Sequence, residues 1–372
     1  MDTLPLDCTV SRNMANKAGK TLCSTWRKAS PDSTWRKASP AEFQYAINVA
    51  QSWRAQHAEA TQRCFLTMLN CSEQFSESVC TYRLKRISSI VNKLQRPRTH
   101  LKLGELDDIG GCRLILRTNA QVDQAANLLK SKISLKQSGT NGGEKDYIIN
   151  PPESGYRSRH LLSKVKTGTM SYQVEIQIRT QLQHYWATAV EEAGEIYDIE
   201  YKSPEVRRMS TGEDEERIRF FQIVSSLFAT EEHSPQIPGF ERPRDELIEE
   251  LQTLRCSSRL LDDLIASTDS VLPPILPQND DTNLFLLKLS REDQYLDIEA
   301  FRRDQLSEAL RRYGDLEDRI EANIASGIGT GDGYDNVVLV YAEDSRQLGI
   351  AYPNYSTNIR HFVDKVKGYL QK

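Results

Sequence analysis

From Tyr172 to Arg179 the chain alternates residue by residue: Val174, Ile176 and Ile178 are apolar, whereas Glu175, Gln177 and Arg179 are polar. Successive side chains of a strand point to opposite faces, so this segment reads as a strand with one face on a core and the other presenting a carboxylate, an amide and a guanidinium. Short β-rich runs at 112–116, 147–149 and 160–165 precede it, and the stretch 121–132 among them has helical spacing. The pattern predicts a mixed α/β unit around a central sheet. Upstream, Phe43, Ile47, Ala50, Trp53, Ala60 and Phe65 recur mostly three or four residues apart, which predicts one helix over 41–69, with a second over 83–94. Helices are expected at 181–196, 217–227 and 245–265. Pro235, Pro238 and Pro243, then the proline-rich stretch 272–277, mark a boundary. After it come strands at 284–289 and 295–298, a helix at 301–322, a glycine-rich loop at 327–333, a strand at 337–342 and a helix at 358–370. The expected division is therefore 1–229, a helical linker over 230–278, and a C-terminal module over 279–372.

The 372 residues suit two domains of about 100–200 residues each. Seven scattered cysteines without a C-x-x-C pair argue against a disulfide framework and a zinc ribbon. No apolar run approaches the ~18 residues needed to span a bilayer, so a soluble cytoplasmic chain is expected. The net charge of −4 is unevenly spread: residues 78–104 hold no Asp or Glu, yet contain Arg83, Lys85, Arg86, Lys93, Arg96, Arg98 and Lys102. In the N-terminal arm Arg12, Lys17, Lys20, Arg27, Lys28, Arg36 and Lys37 outnumber Asp2, Asp7 and Asp32. The arm also repeats one octapeptide, at 24–31 and 33–40, which reads as a duplicated loop.

Four segments carry chemistry. The first is Arg83-Leu-Lys85 with Ser89 and Lys93; helical spacing would put Arg83, Arg86 and Lys93 on one side, with Lys85 on the flank, where several cations meet one polyphosphate. The second is Asp108-Ile-Gly-Gly-Cys-Arg113, a carboxylate just before a strand; alone it is equally a turn aspartate. The third is the loop 146–160, with Gly155-Tyr156-Arg157-Ser158-Arg159-His160 at its end. The fourth is the alternating strand itself, followed by Gln183-His184-Tyr185-Trp186.

In order and content these segments resemble the synthetase domain of RelA/SpoT proteins, including small alarmone synthetases, over roughly residues 53–201. The resemblance implies an α/β (α+β) fold, a mixed central sheet flanked by helices, of nucleotidyltransferase-like type. It also implies a pyrophosphokinase in which Arg83, Lys85, Ser89, Lys93 and Arg179 bind ATP. Asp108 and Glu175 would hold Mg²⁺, with Glu175 a second ligand or a general base, and Arg113 would offset developing charge. Tyr156 would stack on the acceptor base, with Gln177 and His160 beside it. The 3′-hydroxyl of the acceptor would attack the β-phosphorus of ATP and AMP would leave. Pro152-Glu153 departs from the family's Pro-Lys, which puts a phosphate contact there in doubt. None of the six histidines is followed by Asp, so no alarmone hydrolase activity is expected.

A longer resemblance, over about 11–370, is to the toxic small alarmone synthetase subgroup that includes the fused toxin–antitoxin CapRel anti-phage proteins. It implies that 1–229 is the synthetase and that 279–372 is a small α+β pseudo-zinc-finger, in which Tyr352 and Tyr355 cover the ATP site. His361 is the only possible zinc ligand among the module's His and Cys residues, too few for a true finger. A phage major capsid protein would be the trigger and the 3′ CCA end of tRNA the acceptor, with Lys17, Lys20 and Lys28 gripping it. A free guanine or adenine nucleotide is the alternative acceptor. A monomer is expected.

Overall fold

The alternating segment is the centre of β5 (Met170–Thr180), which pairs antiparallel with β4 (Arg159–Thr167) and parallel with β2 (Gly110–Leu116). β1 (Val79–Leu84) lies antiparallel on the far side of β2, and β3 (Glu144–Asp146) edges β4. Three strands from the C-terminal third continue the same sheet: β8 (Asn336–Tyr341) pairs with β1, followed by β6 (Leu284–Ser290) and β7 (Tyr295–Phe301). The result is one eight-stranded mixed sheet in the order β3-β4-β5-β2-β1-β8-β6-β7. The mixed α/β architecture is the one expected. This computed structural model describes residues 9–26, 39–96, 101–137, 142–269, 282–290, 295–326, 334, 336–342, 348 and 356–371.

Apolar alternation decides which sheet face is covered. Tyr82, Cys112, Leu114, Val174, Ile176 and Leu161 share one core with α1 (Arg12–Trp26), α2 (Pro40–Ala55), α3 (Ala58–Ser72), α5 (Asn119–Lys130) and α11 (Leu306–Ser326). Beyond β5, Thr180 caps α6 (Gln181–Tyr197) directly: its hydroxyl accepts from the Gln183 amide, and the Gln183 side chain accepts from the Thr180 amide. Strand thus passes into helix without a loop. A second apolar cluster joins α6 to α8 (Glu213–Glu231), α9 (Arg244–Thr253), α10 (Cys256–Asp269) and the terminal α12 (Ser356–Leu370). The short helices α4 (Ile87–Leu94) and α7 (Pro204–Met209) complete the set used below. Among the described residues no helix is long and apolar enough to cross a membrane.

Several local expectations are corrected. Residues 83–94 are not one helix: Arg83 lies on β1, and only 87–94 is helical. Cys80, Tyr82 and Leu84 alternate with Thr81 and Arg83, a strand pattern overshadowed by the count of basic residues. The helix expected over 41–69 breaks at Gln56-His57, where the His57 ring bonds the Trp53 carbonyl at 2.8 Å. Residues 147–149 form a turn and not a strand, because Asp146 Oδ1 accepts from the amides of Ile148 and Ile149. The helix expected over 245–265 is interrupted between α9 and α10. Residues 12–26, which carried no helix expectation, form α1 by burying Ala15, Ala18 and Leu22.

The C-terminal third shares both the sheet and the helical cluster. Phe362 of α12 is fully buried, with its ring 6.5, 6.2 and 6.0 Å from those of Phe220, Phe221 and Phe228. Phe362→Ala is therefore expected to lower unfolding free energy by about 3–5 kcal/mol. Urea denaturation followed by tryptophan fluorescence and circular dichroism checks this; a loss under ~1 kcal/mol would mean that α12 is not part of the core.

Candidate active site

The polar face of the sheet has a floor set by strand register. Arg83, Gly111 and Glu175 stand in one row across β1, β2 and β5, and Thr81, Arg113, Gln177 and His160 in the next. Gly111 has no side chain, so the row opens into a depression between a guanidinium and a carboxylate. A pocket forms there, lined by Thr81, Arg83, Lys85, Asp108, Gly111, Cys112, Arg113, Glu175 and Gln177. Gly110 is needed for a different reason: an added Cβ would sit 1.9 Å from Thr61 Oγ1, so only glycine lets α3 approach β2 at this point.

Asp108 enters from the loop before β2. Its Oδ2 meets Lys85 Nζ at 3.1 Å and Lys93 Nζ at 2.7 Å, while its buried Oδ1 has no hydrogen-bond partner among the described residues. Burial alone would raise this carboxyl, yet Lys85 and Lys93 hold it below the usual aspartate value. Burial in turn lowers the Lys85 ammonium, against the pull of Asp108. A bare carboxylate oxygen in a buried polar pocket is costly unless a cation meets it, and a hard oxygen donor suits Mg²⁺.

Glu175 is held from both sides. Gln177 Nε2 donates to Oε1 at 2.7 Å, and His160 Nδ1 lies 3.3 Å from Oε2. Burial opposes ionisation, but His160, Gln177 and Lys93 together hold the Glu175 carboxyl at about 2. Arg113 Nε donates to Gln177 Oε1 at 3.3 Å and extends the row. Burial, with Arg179 and Arg83 nearby, pushes the Arg113 guanidinium down to about 9, so it remains charged at neutral pH. On the other side the Tyr156 hydroxyl lies 2.9 Å from His160 Nε2. If Nδ1 donates to Glu175, Nε2 is left to accept from Tyr156, which gives a continuous line Tyr156–His160–Glu175.

Gly155, at φ +86°, turns the chain so that Tyr156 faces His160, and its carbonyl accepts from Ser225 Oγ at 2.6 Å. Arg157, buried, ties the loop down through Ser225 and the Ile148 carbonyl. Tyr147 meets Tyr156 and His160 edge-on, at 5.8 and 5.1 Å between ring centroids. Glu153 points outward, 3.9 Å from Arg207.

Arg83, Lys85, Asp108, Arg113, Glu175 and Gln177 thus share one pocket, and Lys93 and His160 touch its carboxylates. Ser89 is half-buried on α4. Arg179 is not brought to the pocket wall: it is buried and donates to His184 Nδ1 at 2.5 Å. Lys17 and Lys20 are exposed on α1. Lys28, Tyr352 and Tyr355 lie outside the described residues. Sequence reasoning missed Thr81 and Gly111 as floor, Tyr147 as the second ring, and Glu191 and Lys202. Lys202 pairs with Glu191 at 2.9 Å and stands 5.4 Å over the Tyr156 ring. Lys202, Arg113 and Arg83 hold the Glu191 carboxyl low, although that side chain is 43% exposed. Glu191 lies on α6 and Lys202 in the turn after it, and packing brings both to the site.

Residues 82–205 match the family model described as a region found in RelA / SpoT proteins. Over 114 residues the chain is 35% identical to GTP pyrophosphokinase YwaC of Bacillus subtilis (strain 168), which covers 28% of this chain and 52% of the relative. Over 113 residues it is 34% identical to GTP pyrophosphokinase YjbM of the same organism, covering 29% and 52%. The chain therefore spans about half the length of the curated relatives it matches. Among solved structures, the small alarmone synthetase 1 of Bacillus subtilis bound to pppGpp is similar at 23% identity and a TM-score of 0.39, over 49% of this chain and 94% of that one. What these comparisons show is a region of the RelA / SpoT kind over residues 82–205.

The loop that presents Tyr156 should be intolerant at Gly155. An added Cβ would lie 2.8 Å from Ser225 Cβ in addition to the left-handed backbone, whereas Gly168 has φ +58° and nothing within 4 Å. Gly168→Ala should cost about 1 kcal/mol and Gly155→Ala about 2–4 kcal/mol, read from urea midpoints. Equal costs at the two positions would show that Ser225 yields freely.

Proposed function

We propose that this chain is an ATP-dependent pyrophosphokinase of the RelA/SpoT synthetase type. The observation that carries the reading is the bare, buried Oδ1 of Asp108 in a pocket that also holds Glu175 and is walled by Arg83, Lys85 and Arg113. Asp108 and Glu175 would hold Mg²⁺, which would supply positive charge to offset that of the phosphates. Of the two roles open to Glu175, ligand suits it better, because a carboxyl held near 2 is a weak proton acceptor at neutral pH. Arg83, Lys85, Lys93 and Arg113 would bind the triphosphate. The acceptor's 3′-oxygen attacks the β-phosphorus, the bond from that phosphorus to the α–β bridging oxygen breaks, and AMP leaves with that oxygen. The hydroxyl proton passes to solvent or to a basic group nearby. Tyr156 and Tyr147 offer flat rings to the acceptor base beside this line.

The acceptor we favour is the 3′ end of tRNA, because the exposed Lys17 and Lys20 of α1 add cationic surface that a mononucleotide does not require. The chain would then act in the cytoplasm as an anti-phage toxin of the CapRel kind, blocking translation. Residues 279–372 would keep it silent through Tyr352 and Tyr355 until a phage major capsid protein binds. The second reading, synthesis of an alarmone from a free guanine or adenine nucleotide, is favoured by the likeness to two GTP pyrophosphokinases.

Incubation with γ-labelled ATP and GDP, GTP, ADP or deacylated tRNA separates the two readings by which acceptor gains label. Asp108→Ala and Glu175→Ala should each lower transfer by roughly 10³-fold, with unchanged circular dichroism. Full transfer without Asp108 would remove the metal assignment. With tRNA, replacing Lys17, Lys20 and Lys28 by Ala should reduce the slope of log affinity against log salt by up to about 3, roughly one for each phosphate no longer gripped. With a mononucleotide it should not. Tyr352→Ala with Tyr355→Ala should release activity without a trigger; continued silence would count against closure by these residues.

A further inference from the structure

The peptide that carries Lys85 is held from outside the synthetase region. β8 pairs with β1 at Cys80, Thr81 and Tyr82, and the register stops there. Two residues on, the Leu84 amide points to that same edge and donates to the Tyr313 hydroxyl at 3.0 Å. The Lys85 amide turns the other way, to the Ile109 carbonyl at 2.7 Å. Arg54, 2% exposed, donates through Nε to the Lys85 carbonyl at 2.7 Å and through Nη2 to the Leu84 carbonyl at 3.4 Å. The same Nη2 meets Glu317 Oε2 at 2.7 Å, and Glu317 Oε1 accepts from the Tyr313 hydroxyl at 2.6 Å. The ring therefore closes from the Leu84 amide through Tyr313, Glu317 and Arg54 back to the carbonyls of Leu84 and Lys85. Tyr313 is itself fixed edge-on to Tyr82, at 4.9 Å between centroids.

Each member is needed by the others. The hydroxyl of Tyr313 both accepts and donates, so its loss leaves a buried amide and a carboxylate oxygen short of a partner. Arg54 is buried, and without Glu317 its charge would lose the carboxylate that faces it. What the ring fixes is one peptide, and the next atoms along the side chain are those of Lys85, 3.1 Å from Asp108. The following turn starts α4, which carries Lys93 to the same carboxylate. Residues 82–205 match the family region, whereas Tyr313 and Glu317 lie on α11, far beyond it.

We propose that Tyr313 and Glu317, acting through Arg54, are positioning residues for the nucleotide site: they aim Lys85 at Asp108 and set how well the pocket binds a triphosphate. This rests on the reading of the pocket as an ATP site. A helix of the C-terminal third thereby supplies part of the rigidity of the triphosphate grip. A purely structural role would lower thermal stability without coupling to Lys85; a positioning role is exerted through Lys85 and disappears with it.

The test is calorimetric titration of the full chain with α,β-methylene-ATP and Mg²⁺, in a Tyr352→Ala, Tyr355→Ala background so that closure does not mask the pocket. Measurements are made well below each variant's melting temperature. Tyr313→Phe and Glu317→Ala should each weaken binding about tenfold, the worth of roughly one well-placed hydrogen bond. In a Lys85→Ala background Tyr313→Phe should add less than about twofold. Parental affinity in Tyr313→Phe, or the same fold loss with and without Lys85, would overturn the positioning role. A parent that does not bind, or binds equally with Lys85→Ala, would instead overturn the ATP-site reading beneath it.

Discussion

Everything in this structure that bears on chemistry depends on β1 having two paired edges. On one side the antiparallel register with β2 sets Arg83 beside Gly111 and Thr81 beside Arg113. On the other, β8 covers the edge that would otherwise be exposed. The basic residue of β1 thus stands at the centre of an eight-stranded sheet, and its neighbours across the strands are fixed by backbone hydrogen bonds and not by side-chain contacts alone. Side-chain alternation then divides the work. Tyr82, Cys112 and Ile176 enter the core, while Arg83, Arg113, Glu175 and Gln177 are left on the opposite face.

The electrostatics of that face follow from concentrating charge where water is partly excluded. Burial, and then the neighbouring guanidiniums including that of Arg83, disfavour the charged forms of Arg113 and Arg179. Opposing them are Asp108 and Glu175, which the cations keep ionised against their own burial, and the more exposed Glu191. Such a balance suits a polyanionic ligand with a divalent cation, because the phosphates join the arginines and lysines while the cation joins the carboxylates. The preorganised charges need little rearrangement when both arrive.

Much of this was legible where the signal is local. The alternation of 172–179 marked β5 and its polar face, and the Thr180–Gln183 capping box made the passage from strand to helix a short-range feature. Asp108 and Glu175 are named by a motif, and the fold adds that they share a pocket. The misreadings have local causes too. The density of Arg and Lys over 83–96 drew a helix across the end of Val79–Leu84, although Cys80, Tyr82 and Leu84 follow strand period. Asp146 imitates a backbone turn with its side chain, so apolar residues after it did not become a strand. Lys202, Tyr313 and Glu317 were beyond reach for another reason. Their partners are set by tertiary packing across long stretches of chain, such as the separation of 229 positions from Leu84 to Tyr313.

The division of the chain near residues 229–279 consequently means less in space than in sequence. A segment joined by strand pairing to β1 and by Phe362 to the α6–α8 cluster loses backbone hydrogen bonds and buried aromatic area if it departs as a body. Exposing the β1 edge would leave unpaired amides beside the pocket. A change in the C-terminal third that kept those pairs intact would have to act on the pocket through small shifts, which tightly packed interfaces pass on because they have few intermediate arrangements. The Leu84–Lys85 peptide is the point where such a shift and the pocket meet. It is bonded to α11 through the Leu84 amide and to Arg54 through its carbonyls, and the Lys85 ammonium leads from it to Asp108.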